Sequence, residues 1–129
     1  MREIKFRAWY DQTNSMIPWE RLTKEYTADS IFNVPKQYEL KIMQFTGLHD
    51  KNGKEIYEGD IVACDDGGEY FTYEGHDEYP EKYPITWNEE GACFCLEGKE
   101  DLEFSPFYGY CTFEILGNIY QNPELLQKP

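Results

Sequence analysis

The chain reads as a small, tightly turned, mainly β protein. Three features predict this. Apolar and polar residues alternate over residues 3–9 and again over 36–46, the period of a strand rather than a helix. Residues 43–62, MQFTGLHDKNGKEIYEGDIV, divide into a strand, a turn at Asn52-Gly53, a second short strand, a turn at Glu58-Gly59 and an apolar start at Ile61-Val62. Asn and Gly tolerate the positive φ that a tight hairpin connection requires, and Gly59 before Asp60 turns the chain once more. Aromatic residues make up 17% of the chain, with 11 tyrosines and 8 phenylalanines. That is enough flat apolar surface to fill a thin β core, and more than disordered chains carry. The 129 residues suit a single domain.

The elements follow in order. Ile4, Phe6 and Ala8 alternate with Lys5, Arg7 and Trp9, a half-buried first strand. The run Asp11-Gln12-Thr13-Asn14-Ser15 is turn chemistry, and Met16-Ile17 starts a returning strand that Pro18 limits. Residues 20–33 fit either a short helical turn or a loop. Residues 36–46 place Tyr38, Leu40, Ile42 and Gln44 opposite Lys41, Met43 and Phe45, so this strand is expected to be covered on both faces. Residues 56–63 and their hairpin partner come next. Residues 65–84, DDGGEYFTYEGHDEYPEKYP, are expected to form an acidic loop or excursion.

Ile85-Thr86-Trp87 reads as a strand turned by residues 88–91, with residues 92–96 returning. Residues 106–109 are a further irregular stretch. Residues 111–120 read as one strand interrupted at Gly117 by a bulge or bend. Asn122, Pro123 and Glu124 have the order of an N-cap, a first helical residue and an acid at the positive helix start. A single helical turn carrying Leu125 and Leu126 should dock on the core.

The charge is lopsided. The formal net charge is −13. Residues 65–103 hold 13 acidic and 2 basic residues, whereas residues 1–64 hold 10 acidic and 9 basic. Such a field repels nucleic-acid phosphates and anionic membranes and attracts basic partners. No apolar run approaches the roughly 20 residues of a membrane span. The alternating N-terminus MREIKFRAWY has no signal-peptide core, so a cytoplasmic location in the producing cell is expected.

Three blocks now stand out together: REIKFRAW near the start, MQFTGLHDKNGKEIYEGDIV in the middle and EILGNIYQNPELL near the end. In this order they resemble the YopX family of bacteriophage and prophage proteins. The resemblance implies a single YopX-like domain over residues 1–129, a small SH3-like barrel core with hairpin excursions, and assembly into homo-oligomers. It implies no catalytic activity and transfers no active site. Residues 18–37 and 65–110 carry no signature of the family.

The chemistry-bearing residues point the same way. Cys93 and Cys95 lie two apart on one strand face, while Cys64 and Cys111 stand alone. Zinc sites use two pairs at wider spacing, so reduced thiols and no metal are expected. His49-Asp50 lacks a nucleophile to activate. Asp50 is expected to cap its turn and His49 to lie at the surface. Glu58, Asp60, Asp65 and Asp66 lack the calcium-loop pattern, and Asp60 is expected to accept backbone N–H groups in the Gly59 turn. Gly67-Gly68 is followed by Glu69, so no phosphate loop is present. No cofactor is implied.

Three readings of function compete. The first is a non-enzymatic module that binds a protein partner, expected to be basic, or assembles with itself. Its contact residues would be Glu69, Tyr70, Tyr73, Glu74, Asp77, Glu78, Tyr79 and Tyr83, where tyrosines suit interfaces and carboxylates mimic phosphates. The second is a nucleic-acid-associated barrel using Lys5 and Arg7 on one strand face, a role the net charge opposes. The third is an enzyme with a site assembled from His49, Glu58, Asp60 and Cys64, for which the sequence offers no motif. The first is the expectation carried forward.

Overall fold

The computed structural model describes residues 3–33, 40–65, 82–97, 99–103 and 112–127. It is mainly antiparallel β, with two short helices and a final 3-10 turn. The strands are β1 (Phe6–Tyr10), β2 (Ser15–Ile17), β3 (Leu40–His49), β4 (Glu55–Tyr57), β5 (Asp60–Asp65), β6 (Lys82–Asn88), β7 (Cys93–Leu96), β8 (Lys99–Glu103) and β9 (Thr112–Asn118). Between β2 and β3 lie α1 (Trp19–Glu25) and α2 (Ala28–Phe32). The strands form a four-stranded sheet in the order β2-β1-β3-β4 and a five-stranded sheet in the order β8-β7-β6-β5-β9.

The ambiguous residues 20–33 are therefore largely helical. Seven residues are too few for a helix to stand alone; burial holds these two in place. Leu22 of α1 and Ile31 of α2 pack with Ala8, Ile17 and Leu40 of the first sheet in one core cluster. Local chemistry helps. Pro18 enters α1 extended, and its carbonyl accepts the Arg21 and Leu22 N–H groups. Thr27 caps α2, its Oγ1 accepting the Ser30 N–H at 3.1 Å.

β1 is covered on both faces, which corrects the expectation of a half-buried strand. Phe6, Ala8 and Tyr10 face the helices. On the other face Trp9 is only 5% exposed and stacks on Tyr120, with ring centroids 5.9 Å apart and planes within 10°. β3, expected to be covered twice, is: Leu40 packs under the helices, while Met43 and Phe45 are buried on the alternate positions.

A second cluster, Ile56, Val62, Ile85 and Leu96, lies between the β3–β4 hairpin and the second sheet. The expected bulge at Gly117 is present. Ile61 pairs with Gly117 but Val62 with Ile115, leaving Leu116 as the extra residue. A Cβ on Gly117 would come within 2.4 Å of Asn122 Oδ1, so this close approach demands glycine. The C-terminal turn forms, as a 3-10 turn over Pro123–Leu126, but Asn122 does not cap it. Its Oδ1 turns back to accept the Asn118 N–H at 3.2 Å. Leu125 is half-buried and Leu126 exposed.

Two further expectations are refined. The tight turn expected at Asn52-Gly53 is part of a five-residue loop between β3 and β4, closed by the Asp50 N–H on the Lys54 carbonyl. Within it only Gly53 takes positive φ, at 83°. Of residues 65–84, expected to form an acidic loop or excursion, Asp65 ends β5 and Lys82, Tyr83 and Pro84 open β6, while residues 66–81 lie outside the described residues. The irregular stretch at residues 106–109 lies outside the described residues.

Candidate functional site

The two sheets meet around the Glu58-Gly59 turn, where the chain concentrates its buried polar groups. Gly59 sits at φ +82° and bonds twice across the junction. Its N–H donates to the Ile85 carbonyl at 2.9 Å, and its own carbonyl accepts the Ile119 N–H at 2.8 Å. This fixes Asp60 at the head of β5, with a side chain 3% exposed. Arg7 Nη2 donates to Asp60 Oδ1 at 2.7 Å, and the Tyr57 N–H donates to Oδ2 at 2.8 Å. The Arg7 guanidinium lies over the Tyr57 ring, 4.6 Å from its centre.

Burial pushes the Asp60 carboxyl upward, and the Arg7 charge and the Tyr57 N–H hold part of that rise back. Burial likewise raises Glu58, whose Oε1 accepts the Gln44 N–H at 2.9 Å. Both Asp60 oxygens are committed to partners inside the fold. The expected turn role of Asp60 is thus present, with an ion pair added that spans 53 residues.

Asp50 forms the second junction. It is 6% exposed. Its Oδ1 accepts the N–H groups of Asn52 (2.8 Å) and Lys54 (2.9 Å), and its Oδ2 accepts the Ile115 N–H of β9 at 3.1 Å. Beside it the Lys51 N–H donates to the Phe113 carbonyl at 2.8 Å. The β3–β4 loop therefore occupies the outer edge of β9 and joins the first sheet to the second, with a carboxylate standing in for a strand. Burial alone would raise the Asp50 carboxyl, but the Ile115, Lys54 and Asn52 N–H groups outweigh it and hold the carboxyl below its ordinary range. His49 is exposed and packs edge-on against Phe45. Neighbours in sequence, His49 and Asp50 are not an acid–base pair in space.

The cations considered for phosphate contact face inward. Lys5 pairs with Glu55 and, at 3.1 Å, with Glu3, and lies over the Phe45 ring. Hydrogen bonding to Glu55 raises its pKa. Its side chain is 16% exposed, and that of Arg7 14%. They do share a strand face, but carboxylates and rings of the fold already occupy them.

Cys93 is half-buried and Cys95 buried, and neither is in a disulfide. Cys111 lies outside the described residues. Among the described residues no three His, Cys, Asp or Glu side chains gather as a metal site.

Of the residues expected to contact a partner, Glu69, Tyr70, Tyr73, Glu74, Asp77, Glu78 and Tyr79 lie outside the described residues. Tyr83 belongs to β6, where it is half-buried and packs against the second core cluster. Sequence reading missed Trp87, which is 44% exposed at the far end of the same strand and meets Phe94 edge-on at 5.0 Å. The available signal was the alternation of Tyr83, Ile85 and Trp87 on one strand face, the last of them beside the acidic tip of its hairpin.

Comparison with known proteins places this arrangement. The model of the family described as YopX protein matches residues 5–127. Similar solved structures include the crystal structure of protein EF1440 from Enterococcus faecalis, at 25% identity and a TM-score of 0.68, covering 98% of this chain and 100% of that one. No curated protein matches. Among the described residues no helix is long and apolar enough to cross a membrane.

Proposed function

This chain belongs to the YopX family, and on that premise we propose that it is a non-catalytic accessory protein of a phage or prophage, acting in the bacterial cytoplasm by holding a basic protein partner. One observation carries the reading. The acids that build the fold (Asp50, Glu58 and Asp60) lie in the near-neutral first half, while 13 of the 25 acidic residues crowd into residues 65–103. A field of that sign draws in a cationic partner and rejects nucleic acid. The inward pairing of Lys5 and Arg7 supports the same choice, since it removes the cations a nucleic-acid module would need.

The test is a fluorescence-anisotropy titration of the full chain with a labelled peptide of alternating arginine and glycine, and with duplex DNA, at low and near-physiological salt. The reading expects peptide binding that weakens with salt and falls at least about tenfold when residues 66–81 are deleted. DNA binding without peptide binding, or peptide binding indifferent to the deletion, overturns it.

A further inference from the structure

We propose that the outer end of the β6–β7 hairpin is the contact point for an arginine side chain of the partner, with the Trp87 indole as its platform. The proposal rests on the preceding reading, since it takes the partner to be basic, and it adds where that partner is held and by what.

β6 and β7 pair so that Ile85 faces Leu96, and Trp87 faces Phe94. Both pairs lie on one face of the sheet, because side chains two residues apart share a face. At the inner pair that face is closed: Ile85 and Leu96 are each 2% exposed within the second core cluster. At the outer pair it opens. Phe94 is half-buried against the cluster and Trp87 is 44% exposed. The Phe94 ring props Trp87 at 75° between planes, so the indole is held in place before any partner arrives. Aromatic residues prepared in this way supply much of the energy of protein interfaces.

The tip beside it is equally set. Asn88 Oδ1 accepts the N–H groups of Glu90 at 3.0 Å and Gly91 at 3.3 Å, closing the turn from within. This leaves the Glu89 and Glu90 side chains out of the turn's hydrogen bonding, and both residues are exposed.

Charge selects the occupant. Residues 82–103 contain six acidic residues and two basic ones, Lys82 and Lys99. A second copy of the chain would bring another net charge of −13 against this hairpin, which like-charge repulsion disfavours. A cationic side chain meets both features at once: attraction to the indole face and pairing with Glu89 or Glu90. Arginine suits the site better than lysine, because its planar guanidinium stacks on an aromatic face and still presents N–H groups to a carboxylate.

The experiment uses the full, nitrogen-15-labelled chain, titrated with the alternating arginine–glycine peptide and with its lysine counterpart. Trp87→Phe assigns the Trp87 indole N–H signal among the three tryptophans. We expect that signal to move on adding the arginine peptide while those of Trp9 and Trp19 stay still. Trp87→Ala should weaken binding about tenfold, and the lysine peptide should bind several-fold less tightly than the arginine one. The double variant Glu89→Gln/Glu90→Gln, which leaves the backbone bonds of the tip intact, should weaken binding about threefold at low salt and not at high salt.

An unmoved Trp87 signal, or affinities of both variants within twofold of the parent, overturns the hairpin proposal alone, provided the parent still binds the peptide and loses it on deleting residues 66–81. A parent that does not bind the peptide overturns the broader reading and this one with it. A parent dimer that Trp87→Ala dissolves assigns the hairpin to a second copy of the chain instead, and equally overturns the proposal.

Discussion

Replacing Asp50 by Asn tests whether one carboxylate joins the two sheets. The native group accepts three backbone N–H bonds, from Asn52, Lys54 and Ile115. A hydrogen bond to a charged group contributes about 1.5–3 kcal/mol. The Asn carbonyl can still accept from Asn52 and Lys54, though without charge assistance. Its NH2 group then faces the Ile115 N–H, donor against donor, and that bond is lost. Losing one charge-assisted bond and weakening two predicts a cost of about 2–4 kcal/mol, a large share of the roughly 5–15 kcal/mol of an ordinary domain.

Urea unfolding at pH 7 measures the cost. Hydrogen exchange at the Ile115 amide locates it, since that amide should exchange faster than its β9 neighbours in the variant. The pH dependence has a definite sign. The Asp50 carboxyl is held below its ordinary range in the folded state, so its contribution is complete above the unfolded pKa of about 3.9 and is lost as pH falls through the lower folded value. The gap between parent and variant should therefore narrow in acid. A variant within about 0.5 kcal/mol of the parent, the range of ordinary surface changes, with unchanged Ile115 exchange, refutes the reasoning.

Three other outcomes follow from the same geometry. Arg7→Met leaves the Asp60 carboxylate buried with the Tyr57 N–H, and should cost about 3–5 kcal/mol at pH 7. Arg7 holds back the burial-driven rise of the Asp60 carboxyl, so in the variant that group takes up its proton at a higher pH than in the parent and the variant gains more folded-state stability as pH falls. The Arg7→Met penalty should thus ease on moderate acidification, and urea midpoints that show the same penalty at pH 7 and pH 4.5 contradict it. Gly117→Ala should cost about 1–3 kcal/mol, because Asn122 Oδ1 lies 2.4 Å from the new methyl and is itself held by the Asn118 N–H. Adding Asn122→Ala should recover part of the loss in thermal unfolding; full additivity of the two costs would argue against the contact. Ala92 sits at φ +50° in the β6–β7 turn, where an L-residue costs about 1–2 kcal/mol. Ala92→Gly should therefore raise stability by about 0.5–1 kcal/mol after glycine's entropy is set against it, and a lowered melting temperature would show the strain is absent.

What was legible in the sequence was chemistry acting over a few residues. Gly53 and Gly59 turn where expected, Asp60 takes the Tyr57 N–H, and the Ile85–Leu96 hairpin forms, its turn over residues 89–92 lying one residue later than the 88–91 expected. What was not legible depends on partners far along the chain. Nothing within WERLTKE says helix as strongly as the burial of Leu22 under β1 and β2. Asp50 could be read as a turn residue, but its bond to Ile115 spans 65 residues. Asn122 had every local mark of a cap, yet the bulge at Leu116 and the bare Cα of Gly117 offered its carboxamide a better partner in Asn118. β8 escaped notice because KEDLE lacks alternation, and charge of that kind is how edge strands avoid adding neighbours.

The same distinction bears on function. A carboxylate can be buried only where donors meet it, and the fold supplies donors to Asp50, Glu58 and Asp60 from its own backbone and from Arg7. Glu89, Glu90 and Glu97 are exposed instead, in the part of the chain where the acid excess lies. Had these three served folding, they would sit against N–H groups or guanidinium as the first three do. Their separation from the structural carboxylates, more than the total of −13, is the reason to look for a basic partner at the second sheet and not at the first.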